Sequence, residues 1–333
     1  MIDQAGIHEQ KTQLIGCPNL VLLKLRPPHF SRSYGVLISF TTAGQVTTMK
    51  YEMMVTYVKT LVDEQVRIFS LERLSPVYIN DLAPESTVDQ LAYETGKVFY
   101  PLLVQVGFDG AFIGIFNHDE IKKRWVETKE KVMEYFTGEE TEKYLAQTEL
   151  MINDDFALDI CFRNDWFINT FFAPIYKSYG EGREVKNVRR FALSPNATPE
   201  HFDVIENIDP FLNHYNAIEI HHKGKIDQTE LNLFSDGEDG EGIPVEAIYE
   251  ADIVLQKETK SIDAIIANWS WSDGQQKSIT LRVFNMFDEP IDADGINDNL
   301  GNNLMFLDKT ESRNGSGFGY FFKSIFKKTN TTS

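Results

Sequence analysis

The chain has 333 residues, 42% of them apolar and 25% charged, the balance of an ordinary globular protein long enough to bury a large core. Aspartate and glutamate outnumber lysine and arginine 50 to 32, and the resulting charge of −18 repels a phosphate backbone, so nucleic acid is not an expected partner. Cys17 and Cys161 are too few for a disulfide framework. With no apolar run of membrane-spanning length and no basic-then-apolar amino terminus, the expectation is a cytoplasmic protein.

Residues 1–33 keep no sustained period, and Pro27 and Pro28 remove two backbone donors, so they read as an irregular lead-in. Residues 34–116 read as antiparallel strands with one short helix. After a turn through Ala43 and Gly44, Met49, Tyr51, Met53, Val55 and Tyr57 alternate with mostly polar neighbours, which puts all five on one face of a strand. Fifteen extended residues reach roughly 50 Å, so this strand must twist or bend. Further strands are predicted in "QVRIFSLERL" and "PVYIND". Pro84, Glu85 and Ser86 open a short helix that stops near Gly96. Asp109-Gly110 predicts a two-residue hairpin turn, with Val106 opposite Ile113 and Val104 opposite Ile115.

Residues 117–180 change to a helical period. Asn117 is placed to cap a helix whose stripe is Ile121, Trp125, Val132 and Phe136. A second helix covers "EETEKYLAQTELMI". A third runs over "DFALDICFRNDWFINTFFAPIY", with Ile160, Phe167, Ile168, Phe171 and Ile175 on one side and Cys161 as a core thiol. A stack of three helices is expected to cover one face of a sheet.

Residues 181–287 return to strands. Val245, Ala247, Tyr249, Ala251, Ile253 and Leu255 alternate with Glu246, Ile248, Glu250 and Asp252, giving one core face and one largely acidic face. Asp273-Gly274 predicts another two-residue turn. Short hairpins of this kind build antiparallel sheets, so the fold class is α+β: antiparallel regions at both ends of the chain, a central helical layer and a flexible carboxyl tail.

Residues 288–333 read as a linker followed by an aromatic and basic tail. As a helix, the tail lines up Phe318, Phe321, Phe322 and Ile325, with Tyr320 and Phe326 beside them and Lys323, Lys327 and Lys328 toward its end. Three turns do not hold a helix alone in water, so this segment is expected to order on a partner. A single short element of this kind gives only weak contact with a membrane surface.

Chemistry is sparse. Glu219 and His221 project together from one strand face, but two ligands are too few for zinc, and no HExxH, nucleophile elbow or phosphate loop occurs. No metal or cofactor is therefore expected, and no catalytic motif is recognised. The leading expectation is a non-catalytic binding protein, an adaptor, inhibitor or assembly component. It would use the acidic strip Glu246, Glu250 and Asp252 together with the tail to hold a protein partner. A carrier of an apolar ligand, with a cavity lined by Met49, Met53, Tyr57 and Trp269, is the alternative. A metal-assisted hydrolase built on Glu219 and His221 ranks third.

Overall fold

The computed structural model describes residues 21–27, 30–194, 198–226, 246–272 and 274–286. In chain order these form β1 (Ser31–Thr42), β2 (Gln45–Leu61), β3 (Val66–Arg73), β4 (Tyr78–Ile79), α1 (Thr87–Gly96), a 3-10 turn (Lys97–Phe99), β5 (Leu102–Gly107) and β6 (Phe112–Ile115). Then follow α2 (His118–Tyr135), α3 (Glu139–Asn153), α4 (Asp155–Arg163), α5 (Trp166–Phe171), β7 (Glu184–Phe191), β8 (Glu200–Ile208), β9 (Ile218–Lys225), β10 (Ala247–Leu255), β11 (Ile262–Ser272) and β12 (Gln276–Met286). The predicted tail and linker, from Asp288 to Ser333, lie outside the described residues. None of the described helices is long and apolar enough to cross a membrane.

The two strand regions form one antiparallel sheet of twelve strands, ordered β6-β5-β3-β2-β1-β12-β11-β10-β9-β8-β7, with β4 paired to β2. The joint is β1 against β12, where Val36 faces Val283 and Ile38 faces Leu281. Alternation makes one side of this sheet oily. Tyr34, Val36, Ile38, Tyr51, Met53, Val55, Tyr249, Ile253, Ile265, Trp269, Leu281 and Val283 are all buried on it. The long β2 bends where its register with β3 shifts between Tyr57 and Lys59, a bulge of the kind that relieves a strand too long to stay flat.

Turn chemistry departs from the sequence reading. Thr42 pairs with Gln45 across Ala43 and Gly44, both at positive φ, as a two-residue turn requires. At the β5–β6 hairpin, however, the Gly110 amide bonds the Gly107 carbonyl and the Gly107 amide bonds the Ala111 carbonyl, which makes a three-residue loop with Gly110 at φ +97. The extra residue shifts the register, so Val106 faces Phe112 and not Ile113, while Val104 faces Ile115 as expected. Ser272 likewise pairs with Gln276, leaving three residues in the β11–β12 connection.

The helical region also differs. Asn117 does not cap α2 with its side chain. It is buried, accepting the Leu103 amide at 2.9 Å and donating to the Pro101 carbonyl at 3.0 Å, so it secures the start of β5. Ile121, Trp125 and Val132 form the buried stripe of α2, and Phe136 packs partly on the core from just beyond its end. The long third helix is two helices. Asn164 ends α4, and Asp165 starts α5 by accepting the Ile168 amide at 2.8 Å. That break turns Phe167, Ile168 and Phe171 inward and leaves Ile160 and Cys161 exposed on α4, so Cys161 is not a core thiol.

These two short helices do more than cover the sheet. Phe167 meets Tyr51 and Phe171 meets Tyr34 edge-on, so α5 sits against the oily face. The same stretch holds both sheet edges. On β6, the Phe112 amide bonds the Phe172 carbonyl, Arg163 donates to the Ile113 carbonyl, and the Ile115 amide bonds Asp159. On the β7 side, Asn169 donates to the Arg190 carbonyl and Trp166 to the Ala192 carbonyl. The helical segment therefore forms the seam between the two outermost strands of a curled sheet.

Candidate functional site

The outer face of β7–β11 can be laid out in rows from the strand register. One row runs Val188, Asp203, Lys225, Ile248, Ser270; the next Lys186, Ile205, Lys223, Glu250, Asn268; the third Glu184, Asn207, His221, Asp252, Ile266. Of the predicted acidic strip, Glu246, Glu250 and Asp252 are all exposed, and the inward residues from Ala247 to Leu255 are buried as the alternation required. The strip is not uniformly negative. Glu250 lies opposite Lys223, and Asp252 opposite His221, so acidic side chains alternate with basic ones. Among these charges stand three exposed aliphatic side chains, Val188, Ile205 and Ile248, at 55%, 42% and 41% exposure.

One end of this face gathers donors. Asp209 follows β8, and its amide bonds the Glu219 carbonyl at 2.9 Å, which brings its carboxylate beside the outward side chains of β9. One ligand atom each from Asp209, Glu219 and His221 lie within 4.8 Å of one another, and all three residues are partly buried. Each has a partner that orients it. The Phe211 amide donates to Asp209 Oδ1 at 2.9 Å, Asn213 Nδ2 donates to Glu219 Oε1 at 2.8 Å, and Asp252 Oδ1 lies 2.6 Å from His221 Nδ1. The Asp252 hydrogen bond raises the proton affinity of His221 above its ordinary value.

On the inner face, directly behind, a second polar group is sealed. Glu206 and His222 face each other in the β8–β9 ladder and are fully buried. Lys177, from the segment after α5, closes on the Glu206 carboxylate, and Asn187 donates to its other oxygen at 3.1 Å. Arg189 is also buried and donates to the carbonyl and the side-chain oxygen of Asn169 at 2.9 and 3.0 Å. Burial, reinforced by Arg189 and Lys177, pushes the His222 pKa well below its usual range, so this imidazole is neutral. Its Nδ1 lies 3.3 Å from the Tyr249 hydroxyl, whose pKa burial pushes up to about 12. Gly224 is needed in the next row, since a Cβ there would meet Val204 Cγ2 at 2.8 Å.

The residues chosen for a ligand cavity are otherwise employed. Met53 and Trp269 have 2% and 0% exposure, Trp269 stacked on Tyr249 with ring centroids 5.4 Å apart, while Met49 and Tyr57 pack at the core margin. Met53 and Trp269 thus belong to the close-packed core, with Met49 and Tyr57 packed against it. The tail residues Phe318, Tyr320, Phe321, Phe322, Lys323, Ile325, Phe326, Lys327 and Lys328 lie outside the described residues. Asp209 was missed because it belongs to a β8–β9 connection whose nearness to Glu219 depends on register. Glu206 left a clearer signal, a carboxylate at an inward position between Val204 and Ile208. Comparison of the sequence with models of protein families and with curated proteins finds no match to either.

Proposed function

We propose that this chain acts by binding a protein partner, as an adaptor, inhibitor or assembly component, through the outer face of β7–β10. The observation that carries the reading is the composition of that face: exposed Val188, Ile205 and Ile248 set within a checkerboard of Lys223, Lys225, Glu250 and Asp252. Aliphatic side chains ringed by charge combine burial on docking with a polar rim that fixes register, so the partner expected is one of alternating rather than single-sign charge. The aromatic stripe Phe318, Phe321, Phe322 and Ile325 supplies a second contact in this reading, carried by its sequence alone.

The test is affinity purification from the native cell of the wild-type chain beside an Ile205→Asp/Ile248→Asp double variant. Both positions are exposed, so the fold is expected to survive, as circular dichroism would verify. Loss of one or more stoichiometric partners in the variant supports the reading; an unchanged set of co-purifying proteins removes it.

A further inference from the structure

The geometry points to a divalent transition-metal site formed by Asp209, Glu219 and His221 at the acidic end of the outer face. Donors bound to one ion at about 2.0–2.2 Å stand at most about 4.4 Å apart, so ligand atoms already within 4.8 Å of one another need move only slightly to share it. Glu219 and His221 are two apart on β9 and share its outer side, while the Asp209 amide bond to the Glu219 carbonyl holds the third donor alongside.

A separate observation concerns charge. Asp209 and Glu219 are partly buried neighbours of like sign, and among the described residues neither is paired with a lysine or arginine. His221, which stands beside them, is already engaged by Asp252. Two carboxylates kept together in this way repel unless a cation lies between them. Their remaining bonds leave room for one: Asn213 holds Oε1 of Glu219 and the Phe211 amide holds Oδ1 of Asp209, so each carboxylate keeps a second oxygen. With Nδ1 of His221 held by Asp252, Nε2 is the nitrogen left to bind an ion, and hydrogen bonds of this kind to an imidazole and to ligating carboxylates are the outer contacts that orient such ligands.

One nitrogen and two oxygens suit zinc or manganese better than calcium, which takes oxygen donors alone, and three protein ligands leave at least one position open to water. The assignment is independent of the docking proposal, since it concerns the isolated chain. The experiment is titration of chelator-treated full-length protein with Zn2+ by calorimetry and with Mn2+ by magnetic resonance. Expected are one equivalent of Zn2+ in the wild type and loss of saturable binding in Asp209→Asn and His221→Ala. Asp252→Asn should weaken affinity about 10- to 100-fold, and Glu64→Gln, at an exposed position between β2 and β3, should leave it unchanged. Thermal midpoints measured without metal check that the variants fold. Should a variant not fold, Mn2+ broadening in wild-type nuclear spectra decides, and it is expected to centre on residues 209, 219 and 221. No binding by the wild type, equal binding by the ligand variants, or broadening centred elsewhere overturns the assignment.

Discussion

Asp159, on α4, accepts the backbone amide of Ile115 at 2.8 Å, so a helical side chain occupies the hydrogen-bonding position that a neighbouring strand would take beside β6. The same carboxylate oxygen lies 3.1 Å from Nε2 of His118. Replacing Asp159 by Ala frees a partly buried amide, which costs about 1–3 kcal/mol. The variant is expected to unfold at lower urea and to self-associate with rising concentration, as sedimentation would detect. A variant that stays as stable and as dispersed as the wild type would show that the edge is closed by other means.

The Lys177–Glu206 pair tests the sealed group. Lys177→Met strands a fully buried carboxylate, although Asn187 still donates to it, and should cost about 3–5 kcal/mol. Adding Glu206→Leu removes the stranded charge, so the double variant should recover much of that loss. Chemical denaturation of all four members of the cycle gives the coupling directly. A double variant whose loss equals the sum of the two single losses would mean that the two side chains do not act as a unit.

Trp269→Ala separates core from cavity. A sealed indole stacked on Tyr249 predicts a loss of about 3–5 kcal/mol in unfolding free energy. Near-normal stability with altered retention of a bound apolar molecule would favour the carrier reading.

Asp165 predicts a pH dependence. Burial raises its pKa above the ordinary carboxylate value, outweighing the Ile168 amide and the charge of Arg73, which lower it. An acid with a raised folded pKa contributes stability below its unfolded pKa and loses it as pH rises through the folded value. Asparagine caps a helix about as well and does not ionise. Asp165→Asn should therefore gain on the wild type as pH climbs from the unfolded carboxylate pKa through the raised folded one. A stability difference that is flat with pH, measured by thermal unfolding, counts against a strained carboxylate.

Deletion of residues 314–333 probes the tail. Loss of a partner retained by the full chain, with weaker retention at high salt, is expected if its lysines and aromatics dock together. Retention of every co-purifying protein leaves the outer sheet face as the sole contact.

Most strands were legible because a sheet with one wet face writes period two into its sequence, as from Ala247 to Leu255. Turns were less so: Asp109-Gly110 admits both two- and three-residue loops, and only the bonds made by Gly107 decide. The break at Asp165 had a local sign, an aspartate before a run of aromatics, but a continuous apolar stripe concealed it. At the site, Glu219 and His221 could be paired from spacing alone. Asp209 could not, because only the fold brings a residue of the connecting segment to their side.

Because one helical stretch bonds β6 at Phe112, Ile113 and Ile115 and the end of β7 at Arg190, a foreign extended peptide meets occupied amides and carbonyls where these two strands come to the seam. A growing fibre would first have to prise out α5 and the aromatic centre it anchors.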